Sequence, residues 1–483
     1  MSTASVTRRP QQGRIAGLVH GLRQWIESSP TIDYLMIRIM VFTLTAIGVV
    51  MVFSSSMTWS VIGGDSVWTS ALRQCAMVAV GLVLFWVCLC LRMTMIRRLS
   101  GALLAVSVLL LVAVLIPGIG TGLEEVGSQS WIALGSLRLQ PSEVARVAIA
   151  LWGAHYLAGA GQDPAERRKR MVVFCGVGFG MGLLILAERD LGMALSFTVV
   201  VILLLIFVGL QRSFLLGMIV VGLLGMVGVL LGGGYRSQRF LVYFAALFGN
   251  FDDTQTNGYQ THQGFLSLAD GGLLGVGLGQ SRAKWFYLPE AKNDFIFAII
   301  GEEMGLWGGA LVILLFGLLG YFGLRVARRS HDDFRALAAA TLSAGVVVQA
   351  FTNISYVIGI LPVTGIQLPL ISAGGTSVIV TLVSMGVLAN CARHEPEAVS
   401  SMQNYGRPFF DRLFRIPEPA AEGPVVRRSH KEGRREGAAD SIRRGAQRPR
   451  PRPVTRRRET PARGGSVRTE RRDDRYREPR GRR

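Results

Sequence analysis

Residues 191–210 read LGMALSFTVVVILLLIFVGL, a run with no charged residue. About 20 such residues, wound as a helix at 1.5 Å per residue, cross the roughly 30 Å hydrocarbon core of a bilayer. The run is preceded by Glu188-Arg189-Asp190, three consecutive ionisable residues that would be very costly at mid-membrane. The chain must therefore turn there, and the apolar residues 172–187 form a separate span. Outward from this pair the pattern recurs at 35–55, 71–91, 100–117, 143–160, 214–232, 295–324, 336–361 and 376–392. Ten spans define an all-α polytopic membrane protein.

Composition agrees. Half of the 483 residues are apolar and 17% are charged, against about 25% charged in soluble domains. A single soluble enzyme is excluded. Residues 1–33 are polar and basic, with Arg8, Arg9, Arg14 and Arg23, and read as a cytoplasmic arm before a first helix that is retained. Basic residues then fix the orientation. Arg92, Arg97 and Arg98, the run Arg167-Arg168-Lys169-Arg170, Arg212, and Arg325, Arg328, Arg329 and Arg335 all fall on connections of one side. The connections of the other side, 56–70, 118–142, 188–190, 233–294 and 362–375, are poor in Lys and Arg. Both termini are thus cytoplasmic. The body is expected over 34–394, with a large outer loop at 233–294 between the seventh and eighth helices.

Residues 391–483 carry 26 Lys and Arg against 13 Asp and Glu. With few large apolar side chains, the tail over 395–483 is expected to be disordered. It lacks the interleaved aromatics that stack on bases, so nucleic acid is not expected. Anionic inner-leaflet lipid or an acidic cytosolic partner fits better. The five cysteines form no CxxC and read as small buried hydrophobes.

The chemistry is expected on the outer face, where the long loops lie. Asp294 ends the large loop where a helix enters the membrane, with Lys284 and Lys292 nearby in sequence. A carboxylate there can accept a proton from a hydroxyl; equally, it can cap the helix. Glu302 and Glu303 lie roughly 12 Å deeper. Adjacent carboxylates cannot both face lipid, so at least one turns to a partner or polar cavity. Around Trp131 and Arg138, the run Gln140-Pro141-Ser142-Glu143 reads as a helix start, with Gln140 or Ser142 available as cap. Glu143 and Arg146, one turn apart, can pair, and Arg138 with Arg146 suits a phosphate group. Asp190 lies in the sharp outer turn. Residues 362–376 hold two Pro and three Gly; broken backbone at membrane depth needs shielding by protein or a cavity, so a re-entrant loop carrying Ser372, Gly374 and Gly375 is expected. Gly271 to Gly279 resemble a phosphate loop but lack its GxGxxG spacing and context. There is no Walker A motif.

These residues resemble the SEDS family (shape, elongation, division and sporulation), and its division branch in particular. The likeness rests on Gln140-Pro-Ser-Glu143, Asp190-Leu-Gly192, Gly264–Gly279, Leu288-Pro-Glu-Ala291, Asn293-Asp294 through Glu303, Leu361-Pro-Val-Thr-Gly365, Leu368-Pro-Leu-Ile-Ser372 and Gly374-Gly375. Roughly 35–395 is covered. The resemblance implies a peptidoglycan glycosyltransferase that polymerises lipid II on the outer face of the cytoplasmic membrane at the division septum. It implies a class B penicillin-binding protein transpeptidase as partner, with other divisome membrane proteins. Asp294 matches the family's essential loop aspartate and implies a general base. Arg138 and Arg146 would hold the pyrophosphate, with Glu143 orienting them. Asp190, Lys284, Glu302, Glu303, Ser372, Gly374 and Gly375 are the further substrate-binding candidates. A divalent cation, Mg or Mn, is often needed in such systems; its ligands are not legible here. Several positions depart from the family pattern: Arg146 for Lys, Arg189 for Pro, Ala373 for Tyr, Lys292 for His and Phe286 for Glu. Two other functions compete: a lipid II flippase using the intramembrane charges, and a non-catalytic scaffold that activates a partner synthase.

Overall fold

A computed structural model describes residues 28–419 apart from 63–66, 136, 162, 211–212, 215, 218–219, 221–258, 283 and 285–291, and three single positions before 28. Most of the expected span at 214–232, most of the large outer loop and the chain beyond 419 lie outside the described residues.

The remaining nine expected spans are all helices. They are α1 (Ile32–Ile62), α2 (Val67–Cys90) and α3 (Met93–Leu115), then, after the short α4 (Leu123–Val126), α5 (Pro141–Ala158), α6 (Pro164–Ala187) and α7 (Leu191–Val208). After α8 (Tyr259–Gly271) come α9 (Ile296–Arg329), α10 (Asp333–Val357) and α11 (Gly375–Arg393). Eight of these are long and apolar enough to cross a membrane. The ninth, α5, has the length but carries Glu143 and Arg146, and it is buried along most of its surface. It packs between α3, α7 and α10, with small side chains such as Ala145, Ala148 and Ala150 allowing close approach. By contrast α3 and α6 turn Leu109 and Phe179 outward, as lipid-facing helices do. The break at 188–190 falls where the charges placed it, between Ala187 and Leu191.

Three features were not expected. Residues 118–142 contain a three-stranded antiparallel sheet, β1 (Gly120–Thr121), β2 (Trp131–Leu134) and β3 (Leu137–Leu139). The Thr376 hydroxyl at the start of α11 donates to the Arg138 carbonyl and ties this sheet to the bundle. Second, α9 is broken at Gly305, whose φ of 69° is left-handed. Third, part of the tail expected to be disordered is folded: α12 (Pro396–Tyr405) and α13 (Phe409–Leu413) pack on the body, with Ala398, Met402 and Ile416 buried. A buried Arg393–Asp411 pair at 2.7 Å adds to this apolar packing.

The break in α9 accounts for the glycines at 271–279. This stretch folds back against α9 instead of binding a phosphate. The Val276 and Gly277 amides donate to the Glu302 and Glu303 carbonyls, and the Leu306 amide donates to the Gly272 carbonyl. Backbone lies against backbone, and a Cβ at Gly271 or Gly275 would collide with the Gly301 or Glu303 carbonyl. Gly275 and Gly279 both have left-handed φ, but nothing lies within 4 Å of a Cβ at Gly279. Gly279→Ala should therefore cost only the conformational penalty of about 1–2 kcal/mol. Gly275→Ala should cost distinctly more, because main-chain atoms must also move. Thermal unfolding of the two variants in detergent checks this, and equal losses would contradict it.

Candidate functional site

The outer end of α9 is held by three consecutive carbonyls. The Lys292 carbonyl accepts from the Ala373 amide at 3.0 Å. The Asn293 carbonyl accepts from the Ser372 hydroxyl at 2.6 Å. The Asp294 carbonyl accepts from the Asn353 side-chain amide and from the Tyr356 hydroxyl, each at 2.9 Å. Asn353 and Tyr356 also reach the Ile366 carbonyl, at 2.7 Å each. One turn of α10 thus joins the 292–294 segment to the 358–374 segment. The latter is the expected re-entrant loop: Leu368, Leu370 and Ile371 are buried, and Leu370 rests its carbonyl on Gly48 of α1 so closely that a Cβ there would collide.

Asp294 itself is partly buried. Its Oδ2 lies 3.6 Å from the Cβ position of Gly365, so the carboxylate faces the loop at a residue with no side chain. The cap position of α9 falls on Phe295, with no side-chain cap there. Asp294 thus lies one residue before the cap position of α9. Phe295 is buried and meets the Tyr356 ring edge-on.

The other candidates fall into three places. Arg138 is exposed on β3. Gln140 occupies the cap position of α5 but caps nothing with its side chain; its amide donates to Asp190 Oδ2 at 3.1 Å. Asp190 caps α7 by accepting from the Met193 amide. Deeper, Glu143 and Arg146 are both buried. Arg146 donates to Ser196 at 2.7 Å and to Gln349 at 2.6 Å. Gln349 in turn donates to the Gln367 carbonyl. Arg146 therefore braces the re-entrant loop instead of joining Arg138 at the surface.

Glu302, Glu303 and Lys284 form a separate cluster. Glu302 accepts from the Ser281 hydroxyl and the Arg282 amide, at 2.7 and 2.6 Å. Glu303 accepts from Ser54 and pairs with Lys284 at 3.4 Å. Both carboxylates turn inward, as the cost of exposing them to lipid requires, and Lys284 serves Glu303, not Asp294. Ser372 is buried in the loop it closes, and Gly374 and Gly375 lead into α11. Among the described residues no group of three or more His, Cys, Asp or Glu side chains comes together as a metal site.

Asn353, Tyr356 and Gln349 were missed by sequence reading. They lie 59 and 62 residues from Asp294, for Asn353 and Tyr356, inside a span chosen for its apolar content. Polar residues recurring on one face of that span were the available signal. Glu188 is the other omission. It is fully buried at the turn after α6, and neither carboxyl oxygen has a hydrogen-bond partner. Burial, aided by Asp190, pushes its pKa up to about 9. Its carbonyl accepts from the Gln129 amide and fixes the 118–142 segment to this turn.

Comparison with known proteins gives a consistent result. The model of the FtsW/RodA/SpoVE family, described as cell cycle protein, matches residues 34–397. A probable peptidoglycan glycosyltransferase FtsW of Mycobacterium tuberculosis (strain ATCC 25618 / H37Rv) is 40% identical over 395 residues, covering 82% of this chain and 74% of the relative. Stage V sporulation protein E of Bacillus subtilis (strain 168) is 34% identical over 362 residues, covering 75% of this chain and 97% of the relative. Among solved structures, a chain of a peptidoglycan synthase complex aligns with a TM-score of 0.59 at 24% identity, over 74% of this chain and 97% of that one. The rod shape determining protein RodA of Thermus thermophilus aligns with a TM-score of 0.54 at 23% identity, over 74% and 96%. These two establish the shared fold.

Two outcomes follow from the geometry. Tyr356→Phe removes one of two donors to the Asp294 carbonyl and should speed hydrogen exchange at the amides of 293–296 while leaving α1 and α11 unchanged; unaltered exchange would show that the hydroxyl holds nothing. Glu188 is a neutral acid in the fold and a carboxylate when unfolded above its ordinary pKa of 4.5. Its stability contribution is complete below that value and declines as pH rises toward 9. The melting temperature of Glu188→Gln should therefore fall less between pH 5 and 9 than that of the parent (roughly the window set by those two pKa values).

Proposed function

Because this chain belongs to the FtsW/RodA/SpoVE family of cell cycle proteins, we propose that it is a peptidoglycan glycosyltransferase of cell division. It polymerises lipid II at the outer face of the cytoplasmic membrane, at the septum, with a class B penicillin-binding protein transpeptidase and other divisome membrane proteins. The observation that supports this most directly is the immobilised 292–294 backbone, which presents Asp294 from a fixed main chain at the mouth of a membrane helix. A base must hold its geometry to within a hydrogen bond of the proton it takes.

In this reading Asp294 takes the proton of the acceptor sugar hydroxyl. The hydroxyl oxygen attacks the donor anomeric carbon, the bond to the lipid pyrophosphate breaks, and the configuration inverts. Arg138, exposed on β3, is assigned to the pyrophosphate. Arg146 acts one step back. Through Gln349 it braces the Gln367 carbonyl and so the loop that holds 292–294. Glu143 is buried one helical turn from Arg146 and places an opposite charge near it, without a direct ion pair between the two. Asp190 and Gln140 lock the start of α5 to the start of α7 below the sheet. Lys284, Glu302, Glu303, Ser372, Gly374 and Gly375 hold the two irregular segments in place. The flippase reading loses its main support, because Glu302 and Glu303 are engaged with Ser281, Arg282, Ser54 and Lys284 instead of lining a polar path.

Glycan polymerisation from purified lipid II, by the parent and by Asp294→Asn, each co-purified with the cognate transpeptidase, tests the assignment. The variant is isosteric and should keep its melting temperature and its partner. Its rate should fall by about 10²–10⁴, the usual value of a general base. Equal polymer from both would overturn Asp294 as the base and favour the scaffold reading.

A further inference from the structure

The segment after α11 packs against the ends of two candidate membrane spans. Trp86 sits four residues before Cys90, the end of its span, or roughly 6 Å inside at 1.5 Å per residue. Its indole N–H donates to the Phe414 carbonyl at 3.0 Å. Phe42 lies ten residues into α1, roughly 15 Å from its start, and its ring meets Phe410 at 5.9 Å. The Arg38 guanidinium stacks over Phe410 at 4.3 Å. One face of α13 is therefore sunk between the ends of α1 and α2, on the side that carries Arg92, Arg97, Arg98, Arg328 and Arg329. Asp411 can be buried there because Arg393 and the Tyr34 hydroxyl, each at 2.7 Å, satisfy its carboxylate.

The opposite face is apolar and uncovered. Phe409 is 72% exposed and Leu413 61%, one helical turn apart, with Tyr405 at 90%. Arg412 and Arg415 are exposed among them. Large apolar residues concentrated within ten positions need a cover. Phe414, itself 46% exposed, adjoins Trp86, which is exposed on α2 along with Val80 and Val83. We propose that residues 405–415 are an interfacial membrane anchor, with Phe409, Leu413 and Phe414 in the acyl region of the inner leaflet and Arg412 and Arg415 on anionic headgroups. Packing against two membrane helices assigns the apolar part, because exposed apolar side chains beside a helix that faces lipid meet the same lipid. Charge assigns the headgroup, since that leaflet attracts Lys and Arg at its surface. The anchor is built from residues beyond 397, where the family match ends.

The test uses the full chain in vesicles of phosphatidylethanolamine with one-quarter phosphatidylglycerol. The photoreactive p-benzoylphenylalanine replaces Phe409, Leu413 or, as a polar reference on α12, Asn404. Phe179, exposed on α6, is the lipid-facing standard. Intact-mass analysis after irradiation should show phospholipid adducts at 409 and 413 comparable to those at 179, and few at 404. Phosphatidylglycerol should be enriched several-fold over its share of the bilayer, and Arg412→Gln with Arg415→Gln should return it to that share. Absence of lipid adducts at 409 and 413 would overturn the anchor and leave the face to a protein partner. Adducts at the bulk lipid ratio would overturn the headgroup assignment.

Discussion

Backbone that leaves the helix inside a bilayer must find its hydrogen bonds within the protein. Among the described residues, 272–282 and 358–374 are such segments, and both bond to α9 and the residues that lead into it. The first takes the Glu302 and Glu303 carbonyls, freed by the break at Gly305, and then their carboxylates. The second takes the 292–294 carbonyls, with Asn353 and Tyr356 completing the set. Because α9 supports both, the position of Asp294 depends on two loops that are remote from each other in sequence.

Buried charge does the complementary work. Arg146 reaches Ser196 and Gln349, Lys284 reaches Glu303, Arg325 reaches Asp33 at 3.0 Å, and Arg393 reaches Asp411. Each contact joins elements that apolar packing alone could slide past one another. Removing ions from water is expensive, so such contacts add less to net stability than to the uniqueness of the arrangement. Loss of one partner leaves an uncompensated charge, and that penalty fixes helix register in a bundle whose apolar faces are otherwise much alike.

Most of the fold was legible because the bilayer imposes a coarse rule: long apolar runs, interrupted where charge gathers. Glu188-Arg189-Asp190 separated two helices to the residue. The re-entrant loop was marked by Pro362, Pro369 and its glycines, and Asp294 by its place at a helix mouth. What was not legible depended on pairing across the chain. Nothing local distinguishes Tyr356 as a backbone clamp, since its target is the carbonyl of Asp294 and any residue there would offer one. Arg146 fitted a phosphate as well as it fitted Gln349. The 396–419 segment looked unable to fold because its own apolar content is low; its core is borrowed from α1 and α11, and its one buried carboxylate from the balance with Arg393. The strands at 118–142 are too short to impose a period.

The Tyr34–Asp411 hydrogen bond closes a sequence separation of 377 residues. Tyr34 lies in the first described span, yet the carboxylate that accepts its hydrogen bond follows all the described spans in the chain. Asp33 beside it waits for Arg325 in the same way. This rim of the bundle can therefore close only when the described spans between α1 and α11 are in place. Early in biogenesis α1 is an incompletely satisfied helix, held by the membrane before it is held by the fold.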